Sequence, residues 1–233
     1  MRFAVAFAAA LMASAAGAVA EAASPQVRQL VVFRDGSAVQ KTVSTRASSV
    51  RVGGRRCTTG KSTALSALVG SRPGRLRLLD FGSCSLRSAD GGGLFVKRIR
   101  EDVNGGQHGW VYKVGRRAAS AGAGDPSGPF GRGRLREGQR ITWFYCRLRN
   151  GGCQRTLELR LRSEPGSVVA SVRGYDDEGR AVAVAGASVT AGAASALTDA
   201  TGEARLAVPS GRHLVVARKE GTIRSFAERV EVP

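Results

Sequence analysis

Along most of the chain, apolar residues come in short bursts or alternate with polar ones between Gly-, Asp- and Asn-rich turns, which is how strands are punctuated. Leu30-Val31-Val32-Phe33 precedes an Asp35-Gly36 turn, and residues 38–43 follow as its partner strand. Residues 75–79, 94–100, 110–114 and 141–147 read as further strands. One segment departs from this rhythm. In residues 62–70, Leu65, Leu68 and Val69 share a helical face, Ser62 can cap the start and Gly70 can end it. A single helix set against several strands is an α+β layout. Residues 118–134, rich in Gly, Ser and Pro, are long enough to form a mobile loop.

The pattern then changes. Leu157, Leu159 and Leu161 alternate along one more strand, and Ser163-Glu164-Pro165-Gly166 breaks it, so residues 163–166 read as a linker. Beyond it lie only short strands, at residues 168–175, 188–191, 204–208, 214–217 and 230–232, separated by turns such as Asp176-Asp177-Glu178-Gly179 and Asp199-Ala200-Thr201-Gly202. That spacing predicts a small all-β sandwich over residues 167–233, following an α+β region over residues 27–162.

Charge separates the same two regions. The 233 residues carry a net charge of +18. Residues 21–166 hold 27 Lys+Arg against 10 Asp+Glu, whereas residues 167–233 hold 8 against 8; Arg2 supplies the remainder. A hydrophobic content of 42% excludes a disordered chain. Only 5 of the 36 basic residues are Lys, so the excess is one of guanidinium groups, which suit phosphate and carboxylate bidentately. It forms either a specific site for an anionic polymer or acidic ligand, or a solvated surface that binds nucleic acid only as any polyanion; no specific nucleic-acid contact is expected.

Met1-Arg2, an apolar run over residues 3–12 and small residues ending in Ala18-Val19-Ala20 have the layout of a secretory signal peptide over residues 1–20. Cleavage is expected after Ala20, with Ala22 or Ala23 as alternatives and an uncleaved anchor as the other reading. The run is too short to span a bilayer core of about 30 Å, and no later segment is apolar enough to do so. The chain is therefore expected to be secreted or held in the cell envelope. In that oxidising setting Cys57, Cys84, Cys146 and Cys153 are expected in disulfides, since none of their spacings resembles a zinc half-site. Three pairings are possible. Cys57–Cys84 and Cys146–Cys153 are favoured because each closes a local loop, the second around an Asn150-Gly151 hairpin turn.

Two stretches carry a resemblance. The helix Thr63-Ala64-Leu65-Ser66-Ala67-Leu68, the strand Gly109-Trp110-Val111-Tyr112-Lys113-Val114-Gly115 and Leu135-Arg136-Glu137-Gly138-Gln139-Arg140-Ile141-Thr142-Trp143 resemble the C-terminal, β-grasp-like domain of transcobalamin and intrinsic factor. Arg116 stands where that family often has a Gly following Asn, and Gln139 replaces its usual acid. The cobalamin carriers close their site with a helical barrel that this chain lacks, so the resemblance implies the fold, with a corrinoid as one ligand to test. In residues 167–233, Gly186-Ala187-Ser188-Val189, Thr198-Asp199-Ala200-Thr201-Gly202-Glu203-Ala204 and Lys219-Glu220-Gly221 resemble a carboxypeptidase regulatory-like, transthyretin-type sandwich. Such modules usually serve as extracellular spacers or adhesion units.

Candidate chemistry concentrates in the two aromatic strands. Trp110 and Tyr112 share a face, as do Trp143 and Tyr145, and together they are four of the five Trp and Tyr of the chain. They form either the hydrophobic core of an aromatic-poor region or a stacking platform for a planar ligand or sugar. Arg116, Arg117, Arg132 and Arg134, around residues 118–134, could clamp an anion beside them.

Catalytic readings find little. Gly54 and Gly60-Lys61-Ser62 enclose five residues where a P-loop has four. His108 and His213 lack a nucleophile motif, and adjacent Glu101 and Asp102 would point to opposite faces of a strand. The expectation is an exported, non-enzymatic binding protein with no cofactor or metal: the first region recognises an extracellular small molecule or anionic polymer, and the second is a spacer or docking unit. The alternative is a structural or adhesive envelope protein whose Arg-rich region binds anionic surface polymer.

Overall fold

A computed structural model describes residues 23–149 and 151–233. The expected signal peptide, its cleavage site and Asn150 lie outside the described residues. The fold is mostly β, with several sheets and a single α-helix among the described residues.

The N-terminal half contains β1 (Gln26–Val32), β2 (Ala38–Ser44), β3 (Ser49–Val52), β4 (Arg55–Thr58), α1 (Ala64–Ser71), β5 (Leu76–Asp80), β6 (Leu94–Ile99), β7 (Asp102–Val103), β8 (Gly109–Val114), β9 (Arg117–Ala118) and β10 (Arg140–Cys146). Five of these form one sheet, ordered β2-β1-β10-β8-β9. Its central pair, β1 and β10, is parallel, and its other pairs are antiparallel. Both central strands are covered on both faces, which explains their unbroken apolar runs. Val27 and Val31 of β1, with Ile141 and Trp143 of β10, join Leu65 and Leu68 of α1 in the main core. Leu30, Val32 and Phe144 point the other way and pack on Ile223 and Phe226 from the end of the chain. Strands β5, β6 and β7 form a second small sheet, and β3 pairs with β4.

The helix begins one residue later than its sequence suggests. Thr63, not Ser62, is the N-cap, in a reciprocal capping box with Ser66. Gly70 lies inside the helix, which stops at Arg72 in the left-handed region. Ser62 has a positive φ of 60° and works through its backbone, donating to the Thr45 carbonyl and accepting from the Leu135 N–H.

The C-terminal half contains β11 (Thr156–Glu164), β12 (Ser167–Tyr175), β13 (Ala181–Ala183), β14 (Ser188–Ala191), β15 (Ala194–Leu197), β16 (Glu203–Ala207), β17 (Gly211–Arg218) and β18 (Glu228–Val232). In one sheet β12 pairs with β11, β13 and β16; the other runs β15-β14-β17-β18. Leu157, Leu159, Val168 and Leu206 from the first share a core with Val189, Val215 and Val232 from the second. Residues 163–166, read from the sequence as a linker, are instead the end of a hairpin. Glu164 pairs with Ser167, so Pro165-Gly166 is a two-residue turn with Gly166 at φ 68°. Strand β11 therefore belongs to the C-terminal sheet rather than to the basic region. The same Pro-Gly signal serves a linker or a tight turn, and only the strand pairing tells them apart.

Both disulfides join the favoured partners, Cys57 with Cys84 and Cys146 with Cys153, at Cα separations of 5.0 and 5.2 Å. Arg149 and Gly152, on either side of the expected hairpin turn, exchange backbone hydrogen bonds of 3.0 Å. Disulfides fit an oxidising, extracellular location. No helix among the described residues is long and apolar enough to cross a membrane.

Ionic contacts join the halves. Glu228 meets Arg28 at 3.0 Å and Arg140 at 2.6 Å, and Arg116 makes a two-pronged contact with Glu158 at 2.6 and 2.7 Å. Lys113 is fully buried. Its ammonium donates to the carbonyls of Tyr175 (3.1 Å) and Asp176 (2.8 Å) and lies 3.2 Å from the Asp177 carboxylate. Burial pushes the Lys113 pKa down, and the Asp177 charge opposes that shift.

Candidate functional site

Antiparallel pairing of β8 and β10 sets Tyr112 opposite Trp143 and Trp110 opposite Tyr145. Because alternate residues share a face, all four rings project toward the core. Tyr112 stacks on Trp143 at 5.0 Å between centroids, and Trp110 meets Tyr145 edge-on at 6.0 Å. None is more than 7% exposed, so the four are core residues and do not form an open platform.

That core is incompletely filled. An apolar cavity of about 350 Å³ adjoins it, bordered by Trp110, Tyr112 and Trp143. Across from the rings stand Leu94, Phe95 and Val96 of β6. Phe81 and Phe95 also border the cavity; both are exposed, at 73% and 42%, and they meet edge-on at 6.0 Å. The loop after β9 adds Ala119, Ala121, Gly122 and Ala123, and Gly92, Gly93, Val111, Ala118, Cys153 and Asp177 complete the lining. Small residues there leave the volume open.

The loop expected to be mobile is fastened along its length. The Leu65 N–H, in the first turn of α1, donates to the Ala123 carbonyl at 2.8 Å, and the Ser120 and Ala121 N–H groups both donate to the Pro129 carbonyl. The Tyr112 hydroxyl donates to the Ala121 carbonyl at 2.9 Å. Gly124 passes so close to the backbone of Gly91 that a Cβ there would lie 2.3 Å from the Gly91 carbonyl oxygen. Only glycine fits that crossing.

Polar groups around the cavity are almost all occupied. The Trp110 indole N–H donates to the Asp102 carbonyl at 2.8 Å. Burial, and then the Asp125 charge, hold the Tyr112 phenol well above its ordinary pKa, so it stays a neutral donor. Asp177, the one charged residue in the lining, is met by Lys113 and by the Cys153 N–H at 2.9 Å. The exception is Trp143. It is 1% exposed, and its indole N–H is buried without an acceptor.

The arginines expected as an anion clamp do not gather here, and no Arg, Lys or His lines the cavity. Arg116 is engaged by Glu158 and lies over the Tyr175 ring at 4.8 Å. Arg117 lies over Phe130 at 5.5 Å, and the Arg134 Nε donates to the Pro126 carbonyl. Arg132 is exposed with no hydrogen-bond or ionic partner. Tyr145 turns to another pocket and donates its hydroxyl to the Val103 carbonyl at 2.9 Å. Sequence reasoning missed Phe81 and Phe95, whose only signal was their place at either end of a Gly- and Ser-rich stretch.

The remaining chemistry is sparse. No group of three or more His, Cys, Asp or Glu among the described residues could hold a metal ion. The His108 Nδ1 accepts from the Leu148 N–H at 3.0 Å, and the His213 Nε2 contacts the Pro209 carbonyl at 2.7 Å, so both rings are used locally. Comparison of the chain with family models, with curated proteins and with solved structures finds no match in any of the three.

Proposed function

We propose that this is an exported, non-catalytic binding protein whose N-terminal half takes a flat, uncharged organic molecule into the cavity beside Trp110, Tyr112 and Trp143. In the same reading, the N-terminal half is a β-grasp-like region of the transcobalamin C-terminal kind. The C-terminal half is a β-sandwich of the carboxypeptidase regulatory-like kind, acting as spacer or docking unit. The observation that carries the binding reading is the cavity itself, apolar, bordered by Trp110, Tyr112 and Trp143 and by the exposed rings of Phe81 and Phe95.

Size and charge define the ligand class. A volume near 350 Å³ matches about a dozen waters at ~30 Å³ each, which suits one or two fused rings. A whole corrinoid is far larger, so at most one edge of it would enter. The lining carries no cation, and its single carboxylate is already paired, so neither an anionic nor a cationic head is met there.

The test uses coumarin, the acceptor-free ring pair indene, and coumarin-3-carboxylate. Trp fluorescence is the readout, since both tryptophans of the chain border the cavity. Coumarin and indene are both expected to bind saturably, with little dependence on salt, and coumarin-3-carboxylate more weakly, since the lining holds no cation to meet its charge. Replacing the exposed wall rings, Phe81→Ser with Phe95→Ser, should weaken both neutral probes. Absence of saturable binding by all three would end the cavity reading. Tightest binding by the carboxylate would end the uncharged class.

A second reading has its own observation. Arg51 lies opposite Arg56, and Arg77 opposite Arg98, in strand pairs where like charges repel. None of the four has an ion-pair partner among the described residues. An anionic envelope polymer would relieve both pairs, and its binding would fade steeply with salt.

A further inference from the structure

A second cavity, of about 370 Å³, lies where the two halves meet. One wall is the end of β1 with the Asp35-Gly36 turn and the end of β10; the other is Arg218 at the end of β17 with residues 219–224 after it. Five of its lining residues are cationic: Arg34, Arg147, Arg218, Lys219 and Arg224. Two acids, Asp35 and Glu220, border it as well.

Some arginines of the molecule sit on carboxylates, as Arg28 and Arg140 do on Glu228. In this cleft none of the five cations forms an ion pair among the described residues. Three of them donate to backbone carbonyls: Arg147 to Arg34 at 2.9 Å, Arg224 to Ser225 at 3.1 Å and Lys219 to Ala185 at 2.6 Å. Arg34 lies over the Tyr145 ring at 5.8 Å, and Arg218 has no partner. Arg224 is half-buried; burial, and then the neighbouring Arg218 charge, push its pKa down from the ordinary arginine value. A concave wall of this kind concentrates positive potential that the protein itself leaves unneutralised.

We propose that this cleft is an anion site for a phosphate monoester, its head met by Arg218 and Arg224 and its organic body lying toward Phe33 and Tyr145. A phosphate monoester fits better than a carboxylate. It carries close to two negative charges at neutral pH and three acceptor oxygens, which can engage several guanidinium forks at once. The site uses both halves of the chain and is independent of the apolar cavity.

Phenyl phosphate is the probe, titrated by calorimetry at physiological ionic strength, with inorganic phosphate and benzoate alongside. Phenyl phosphate is expected to saturate and to bind tighter than either. Arg218→Gln and Arg224→Gln should each weaken it about tenfold, since a hydrogen bond to a charged group is worth roughly 1.5–3 kcal/mol. The control Arg132→Gln removes one exposed charge that borders neither cavity and should change binding less than about twofold under this screening. Equal losses in the cleft variants and the control would reduce the effect to bulk charge and overturn the proposal. Benzoate binding as well as phenyl phosphate, or no saturation, would overturn it too. Should half-buried Arg224→Gln not fold, the exposed Arg218→Gln carries the same test.

Discussion

The two cavities differ little in volume, near 350 and 370 Å³, yet are opposite in chemistry. The first is walled by three rings, small loop residues and β6, and includes no cation; the second gathers five. Net charge therefore describes neither. Strand alternation decides the first, because β8 and β10 turn every second residue inward and those residues are Trp and Tyr. The ends of β1, β10 and β17 decide the second, because side chains at strand ends reach the surface, where arginines are tolerated. A chain with a charge of +18 can thus hold a neutral pocket and a strongly basic one side by side.

The sharpest way to break this comparison is at Lys113, which ties β8 to the turn after β12. Lys113→Met leaves the Asp177 carboxylate without its cation and takes the ammonium donor from two carbonyls. Removing one member of a buried ion pair costs about 3–5 kcal/mol, read as a lower midpoint in urea unfolding. Because Asp177 borders the apolar cavity and not the cleft, coumarin binding should fall further in this variant than phenyl phosphate binding. Equal losses at both sites would mean that the halves do not separate along this seam.

Disulfides test the N-terminal half by itself. Replacing Cys57 and Cys84 by Ser opens the longer loop and should cost about 3.6 kcal/mol, against about 2.5 kcal/mol for Cys146 and Cys153, by loop-closure entropy. The first pair anchors β4 to the chain after β5, on the side of Phe81, so its loss should also weaken coumarin binding. Phenyl phosphate binding should change little.

How much of this was legible beforehand depended on whether neighbours in sequence are also neighbours in space. Four of the five strands of the large sheet, the helix, the local disulfide pairs and the facing of Trp110 with Tyr112 and of Trp143 with Tyr145 all follow from short-range patterns. The β3–β4 hairpin escaped notice because Arg51, Arg55 and Arg56 mask the alternation carried by Val50 and Val52. Strand β13 is exposed throughout, so no apolar pattern marked it. The cavity was half legible. Its rings were singled out, but its other walls come from β6 and from the loop after β9, which only the tertiary fold brings together. The expected arginine clamp failed for a related reason: Arg116 found Glu158, forty-two positions away in sequence, before any ligand could.

That Arg116–Glu158 contact gives a smaller effect with a defined pH window. The hydrogen bond and charge of Arg116 hold the Glu158 carboxyl below its ordinary value of 4.5. A carboxyl depressed in the folded state stabilises fully above its unfolded pKa, and that contribution is lost as pH falls through the folded value. Glu158→Gln should therefore be slightly less stable than the parent at neutral pH, by about 0.2–1 kcal/mol for a pair this exposed. The two should converge on acidification below pH 4.5. A difference that persisted at low pH would assign the loss to packing rather than to charge.

The smallest expected effect separates surface charge from site charge. Arg132 is exposed, touches no acid and borders neither cavity. Arg132→Gln should leave stability within about 0.5 kcal/mol, as substitutions away from any specific contact do. It should also leave coumarin and phenyl phosphate binding unchanged at physiological salt, where screening acts over about 8 Å. At low salt a small decrease for phenyl phosphate alone is expected, because the whole protein field then reaches the cleft. The same decrease at physiological salt would show that the five cleft cations bind through the summed charge of the molecule rather than through their own placement.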